Sequence, residues 1–409
     1  MKLVRGNPIM NKPHGLTVTT VAILCWSANL FAQDWVSNGP APEIVDLSPE
    51  DISFQLEKEI PYLEQPFIDI RPEDREDGIQ VGVLNLQKSR QKRVLAYAHR
   101  LGQRAKSEKA GRIDSLLIAH RGKLVLEAYY RRGRVNYPHY QMSITKSFTA
   151  FAIGRAIQLG HLTMEDLHKP VISFLKEIDP KKLAKGAEKI TLHHAMQMSS
   201  GIRVEKRKIS SMTKNSELLK GQRHAQAYLQ FSDPIKTHPG DFKYQAADTV
   251  LAMQVLDAVV PGSPEAFIRE ELLKPMGISN YKWQDDLSGL PKASAGSSFL
   301  SRDMIKMGIL TINGGKWNGK QHLPEKYVEV ATSPLVRTSP SNHYGYFWWS
   351  QTKEVGGVKY PSLQGRGAGG QFIFVFPTID LVVAATAHNK GMGTMLWQLQ
   401  EVMISAFSN

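Results

Sequence analysis

Met142-Ser143-Ile144-Thr145-Lys146-Ser147-Phe148 stands where a loop enters a run of helical period. Behind it Ile144, Phe148, Phe151, Ala152, Ala156 and Leu159 recur at helical spacing until Gly160, which predicts a helix over 143–159. Ser143 then lies in the first turn, among backbone N–H groups that have no acceptor within the helix. Lys146 projects from the same face one turn on. That pairing lets a lysine amine take the hydroxyl proton, provided burial and nearby donors lower its pKa until a neutral fraction exists near pH 7. The N–H of Ser143 itself then faces the developing oxyanion. Five other serines also precede a lysine by three residues, namely Ser89, Ser173, Ser211, Ser279 and Ser350. Only the Ser143 tetrad opens a long apolar helix; the alternative, and the simpler reading of a lone tetrad, is that Ser143 merely caps the helix and Lys146 is solvated.

Outward from this helix, Ser115 to His120 and Lys123 to Tyr130 read as two strands joined at Arg121-Gly122, a hairpin. Helical stretches follow near 192–198 and over 249–260, the second stopped by Pro261-Gly262. Strand patterns return at 345–349, 372–376 and 381–385, before a last helix over 394–407. Strands at both ends around a helical middle imply a sheet assembled from the two termini, with a helical domain inserted at about 161–290. Residues 33–85, rich in proline and acids, read as an extended arm that wraps a main domain over 86–409.

Residues 1–32 carry Lys2, Arg5 and Lys12 without an acid, then an apolar run from Leu16 to Trp26 and the small residues Ser27, Ala28 and Ala32. This is the pattern of a Sec signal peptide, and it predicts an exported, periplasmic protein. The apolar run falls well short of the ~20 residues that cross a bilayer; a retained N-terminal anchor is the alternative. Cys25 is the only cysteine and lies within that segment, so the exported chain is expected to use neither thiol chemistry nor a cysteine-ligated metal. Lysine and arginine outnumber aspartate and glutamate 51 to 38, and the run from Lys88 to Arg112 holds nine bases against Glu108. That stripe is either a solvated helix face, the reading favoured here, or a contact with an anionic envelope surface. It contains no nucleic-acid-binding motif, and no nucleic-acid partner is expected.

Two further elements carry chemistry. Pro239-Gly240 turns the chain ahead of a helix and places Tyr244 on a short loop, where a phenol moves protons if an ammonium stabilises its anion. Gln364-Gly365-Arg366-Gly367-Ala368-Gly369-Gly370-Gln371 lets backbone approach a ligand before a strand begins. It leads into a strand and lacks a P-loop lysine, so an oxyanion donor fits it better than a phosphate. Tyr344, Tyr346, Phe347, Trp348 and Trp349 form an aromatic run from which one or two residues line an acyl pocket. The adjacent His193 and His194 splay apart on a helix and read as structural; no motif has metal spacing, and neither metal nor cofactor is expected.

From about Asp77 to Lys390 the chain resembles the serine β-lactamase and penicillin-binding superfamily, in the class C-like branch that includes esterases, D-aminopeptidases and 6-aminohexanoate dimer hydrolases. The likeness runs through Asp77-Gly78-Ile79, the hairpin, Met142 to Phe148, Met198-Ser199-Ser200-Gly201, Pro239-Gly240 with Tyr244, Ser301-Arg302-Asp303, and Gly369-Gly370-Gln371 with Pro377 and Asp380. The resemblance implies an α/β (α+β) fold of β-lactamase/transpeptidase type, its antiparallel sheet flanked by helices. It implies Ser143 as nucleophile, Lys146 as base partner and Tyr244 as proton shuttle. By the same likeness the backbone near Ala368 is the second oxyanion donor; Arg366, Gly369 and Gly370 of the glycine-rich run and Trp348 of the aromatic run are the expected substrate contacts. Two departures bear on the substrate: Ala246 stands where β-lactamases and cell-wall peptidases carry asparagine, and the glycine-rich segment has no lysine. Both weaken the reading as a β-lactamase or D-Ala carboxypeptidase and favour a small-molecule ester or amide. A catalytically silent envelope binding protein is the alternative from another class. The sequence does not set an oligomeric state.

Overall fold

The computed structural model describes residues 35–104, 111–236, 241–391 and 393–408. The expected signal peptide over residues 1–32 and the Pro239-Gly240 turn lie outside the described residues. Among the described residues the largest sheet has nine antiparallel strands. In chain order they are β1 (Phe67–Asp69), β2 (Ile113–His120), β3 (Lys123–Tyr129), β4 (Val336–Ser339), β5 (Asn342–Tyr344), β6 (Trp349–Val355), β7 (Val358–Gly367), β8 (Gln371–Phe376) and β9 (Leu381–Ala387). Across the sheet the order is β1-β3-β2-β9-β8-β7-β6-β5-β4, so β9 from the C-terminal part pairs with β2 from the N-terminal part. This is the sheet from both ends that the sequence pattern implies. The expected hairpin is the β2–β3 pair, and Arg121 and Gly122 both take positive φ at its two-residue turn.

Both faces of the central strands are covered, which is why β8 and β9 read as unbroken apolar runs rather than alternating ones. The strand period of two sorts their side chains between two cores. Phe372, Phe374, Phe376, Val383 and Ala385 meet helices α1 (Lys88–Gln103) and α6 (Gly393–Phe407). Ile373, Val375, Val382 and Ala384 face α5 (Ser301–Ile312) on the other side, in a core that also holds α2 (Thr145–Gln158) and α4 (Ala246–Val259). Between them on the chain, 161–290 holds α3 (Leu192–Met196), α4 and further short helices linked by 3-10 turns. Asp77 and Arg302, noted as motif residues, meet across the fold at 2.7 Å, and Arg302 also reaches Glu127 at 2.9 Å. Arg302 is buried, and removing one partner of such a pair leaves an uncompensated charge; its place is structural.

Two expectations change. The arm over 33–85 is not wholly an appendage: Phe67–Asp69 adds β1 to the edge of the sheet beside β3, and Ile52, Ile60 and Ile68 are buried. The strand expected at 345–349 is a bend between β5 and β6, in which Phe347 has φ +58. The N–H of Tyr346 goes to Ala331 O and that of Phe347 to Met196 O, so this backbone bonds to helix ends instead of to a neighbouring strand.

Candidate active site

The turn that carries Ser143 is strained. Met142 has φ +50, a conformation costing a non-glycine residue ~1–3 kcal/mol. The residues 142–144 form a 3-10 turn that feeds α2, and the Thr145 hydroxyl closes it onto Met142 O at 2.7 Å. A small sheet of His139–Tyr140, Ser297–Phe299 and Lys282–Trp283 fixes its approach, with the Gln141 N–H on Ser297 O. The same sheet brings the 284–296 loop over the first turn of α2, a contact no sequence pattern announced.

Lys146 is only 4% exposed. Its Nζ donates to Ser143 Oγ at 3.2 Å and to Ser294 O at 2.6 Å. Burial, with the charge of Lys292 as a second cause, brings its pKa down to about 7. Tyr244 comes from the loop ahead of α4, tied down by the Lys243 N–H on Met198 O. Its side chain is 40% exposed overall, but the hydroxyl end is enclosed at Ser143, and burial there pushes the phenol up to about 12 while the bond with Ser143 draws it down. The Lys146 ammonium lies 4.6 Å from the centroid of that ring. Serine, amine and phenol therefore share one small volume, as their sequence contexts implied. The phenol is held neutral, so the amine is the readier base.

The remaining expectations fare differently. The glycine-rich run is not a loop before a strand: β7 extends through Gly367, and only Ala368, Gly369 and Gly370 form the turn to β8. Ala368 is exposed in that turn, while Gly365 and Gly367 are the residues facing the nucleophile turn. A Cβ on Gly365 lies 3.6 Å from Ser147 Oγ, and one on Gly367 lies 2.5 Å from Gln141 O. Strand β6 pairs with β7 only as far as Trp349↔Gln364, which leaves the edge at 365–367 open beside Ser143. Gly369 and Gly370 turn away, Gly370 packing against Ala387, Asn389 and Met395. Trp348 is fully buried, stacked on Phe151 at 5.5 Å between centroids, and lines no site. Trp349 takes the place expected of it: its ring lies 5.8 Å from that of Tyr244 and carries the Arg366 guanidinium at 4.9 Å on its face. Arg366 donates to Gln364 Oε1 and Asn342 Oδ1, burial lowers it to about 10, and among the described residues no carboxylate pairs with it.

Asp248 was not singled out by any pattern. It is wholly buried on α4, burial raises it to about 6, and the Gln245 amide donates to its Oδ2 at 2.5 Å. Its bond with Ser200 links the loop of Tyr244 to the Met198-Ser199-Ser200-Gly201 corner.

A family model described as Beta-lactamase matches residues 106–396. Among curated proteins, the 6-aminohexanoate-dimer hydrolase of Paenarthrobacter ureafaciens is 23% identical over 317 residues, covering 69% of this chain and 74% of that one. A D-stereospecific amidohydrolase from Streptomyces superposes with a TM-score of 0.54 at 16% identity over 76% of this chain and 98% of its own. A penicillin binding protein from Bacillus halodurans gives 0.53 at 17% identity over 72% and 95%. At such identities the solved structures speak for the fold alone.

Proposed function

The chain belongs to the beta-lactamase family, and from that premise we propose that it is a serine hydrolase that opens an ester or amide through an acyl group carried on Ser143. The observation that carries this is the 3.2 Å contact between Ser143 Oγ and a lysine amine whose pKa is brought to about 7. Ser143 Oγ attacks the carbonyl carbon and its proton passes to neutral Lys146. Negative charge on the carbonyl oxygen meets the Ser143 N–H and a second N–H from the open β7 edge at 365–367. The Tyr244 hydroxyl gives its proton to the departing amine or alcohol and regains one from the Lys146 ammonium. Water then adds to the acyl carbon by the same groups in reverse and releases the acid. Arg366 offers a cation one ring away, across Trp349, for an anionic end of the substrate.

The likeness to the 6-aminohexanoate-dimer hydrolase favours a linear amide as substrate. Ala246 in place of an asparagine amide argues against efficient β-lactam turnover. The composition of residues 1–32 supports work outside the cytoplasm. The test is intact-mass detection of a fluorophosphonate adduct, mapped to its peptide, beside turnover of a p-nitrophenyl ester and of nitrocefin. The adduct is expected on the peptide holding Ser143, with ester turnover lost in Ser143→Ala. A label on another peptide ends the site assignment, and a higher kcat/KM for nitrocefin ends the esterase and amidase reading.

A further inference from the structure

Leu56 and Glu57 are placed against their polarity. Both lie in the 3-10 turn Leu56–Glu59 of the acid-rich arm, where Leu56 is exposed and Glu57 is buried, with 1% of its surface accessible. Burying a carboxylate is costly unless its charge is met by partners, so specific contacts must hold this inversion in place. Glu57 Oε1 meets His139 Nδ1 at 2.7 Å, and Oε2 accepts the Tyr140 N–H at 3.0 Å. His139 is fully buried and its Nε2 has no hydrogen-bond partner among the described residues, so the ring is anchored through Glu57. His388 Nε2 approaches the same Oε1 at 3.6 Å, while its Nδ1 meets Oδ2 of the buried Asp114 at 2.7 Å. Burial draws the His388 pKa down, but the bond and charge of Asp114 and the charge of Glu57 outweigh it, so this ring holds its proton more firmly than a free histidine. Around the cluster the arm is tied to the same segment. The Tyr137 hydroxyl donates to Asp51 O and Arg132 Nε to Lys58 O, each at 2.9 Å, and the Phe54 ring packs on Tyr140 at 4.9 Å between centroids.

Both ends of this cluster lead to the reacting groups. His139 and Tyr140 form the strand that runs through Gln141 into the strained turn at Met142 and Ser143. The Gln141 side chain donates to His139 O at 2.8 Å, and its carbonyl is the atom on which Gly367 closes. On the other side His388 precedes Asn389, whose N–H goes to Gly369 O in the turn that follows the β7 edge. Stabilising an oxyanion requires the Ser143 N–H and an N–H of residues 365–367 to aim at one point, although the two come from segments remote in the chain. Glu57 touches the chain three residues ahead of the first donor and faces the segment that holds the turn behind the second.

We propose that Glu57 is a positioning residue for the reaction: from the arm it fixes the strand entering Ser143 against the β7–β8 turn, and so sets the separation of the two oxyanion donors. This rests on the hydrolase reading of Ser143, and it makes the arm a working part of the enzyme.

Glu57→Gln tests it with the shape kept. An amide either turns a donor toward the Tyr140 N–H or forces His139 into the tautomer whose proton sits on the unpartnered Nε2, and in both cases it removes the charge facing His388. Turnover of a p-nitrophenyl ester is counted per site titrated with a fluorophosphonate, so unfolded or inactive protein drops out. In Glu57→Gln kcat is expected to fall about tenfold with KM within about twofold of wild type, because the donors act on the transition state. Glu57→Ala is expected to fall further, so that glutamine restores part of the rate. An unchanged kcat per site in both variants, even with a lower melting temperature, or a rise in KM with kcat held, makes Glu57 a structural staple and overturns the proposal. Hydrogen exchange supplies a readout without turnover: the amides of Tyr140 and Ile144 are expected to exchange faster in Glu57→Gln while those of β2 and β3 keep their protection. Unchanged exchange at both positions overturns the proposal too. Absence of turnover in wild type, with faster exchange in the variant, would count against the hydrolase reading and not against the hold of Glu57 on the turn.

Discussion

The pKa of Lys146 determines how this protein should respond to pH. A solvated lysine titrates near ~10.4, so at pH 7 about one amine in 2,500 is neutral. At about 7 roughly half are neutral, which makes ~10³-fold more base available for Ser143. The kcat/KM for a p-nitrophenyl ester should therefore rise with pH along one limb centred near 7. Above that it should level off, because Tyr244, held at about 12, keeps its proton. The perturbation is Lys292→Met. Lys292 is the second cause of the low pKa, after burial, and methionine keeps the packing of the chain stem against Gly296. Loss of the like charge lets Lys146 hold its proton more firmly. The limb then moves to higher pH, the rate at pH 7 falls tenfold for each unit moved, and the plateau at high pH stays where it was. Initial rates across the pH range, corrected for spontaneous ester hydrolysis, read this directly. A limb near ~10 in wild type, no limb, or a downward move in Lys292→Met would refute the assignment of Lys146 as the base.

Two further outcomes follow from the same geometry. Because the folded pKa of Lys146 lies below the unfolded one, the unfolded chain binds more protons between about 7 and ~10.4, and stability should climb with pH across that window. Lys146→Met should flatten the climb and raise unfolding free energy at pH 7 by up to about 4 kcal/mol, less the cost of leaving Ser294 O without its donor. Denaturant melts at both ends of the window check it, and a variant less stable than wild type at pH 7 sinks the reasoning. Gly367→Ala places a methyl 2.5 Å from Gln141 O, a backbone atom two residues before the nucleophile, so β7 or the turn must move. Ester kcat should drop at least ~10-fold with the fold retained by circular dichroism, whereas full activity would mean the β7 edge does not set the site.

The sequence alone determined the elements whose signal is local. Apolar spacing behind Ser143 marked α2, a two-residue turn between β-rich runs marked the β2–β3 hairpin, and unbroken apolar runs marked β8 and β9, because helix and strand periods are written in consecutive residues. The pairing of Ser143 with Lys146 was legible for the same reason, one helical turn separating them. Tertiary structure decided whatever depends on partners remote in the chain. The low pKa of Lys146 arises because the 284–296 loop covers it, with Ser294 O and Lys292 beside it, which no spacing around residue 146 records. Trp349 rather than Trp348 faces Tyr244 because the 345–348 backbone bonds to helix ends and turns into a bend, burying Trp348 on Phe151. The open edge falls at Gly365 to Gly367 instead of Ala368 because β6 stops pairing at Gln364, and register between strands is set by the partner.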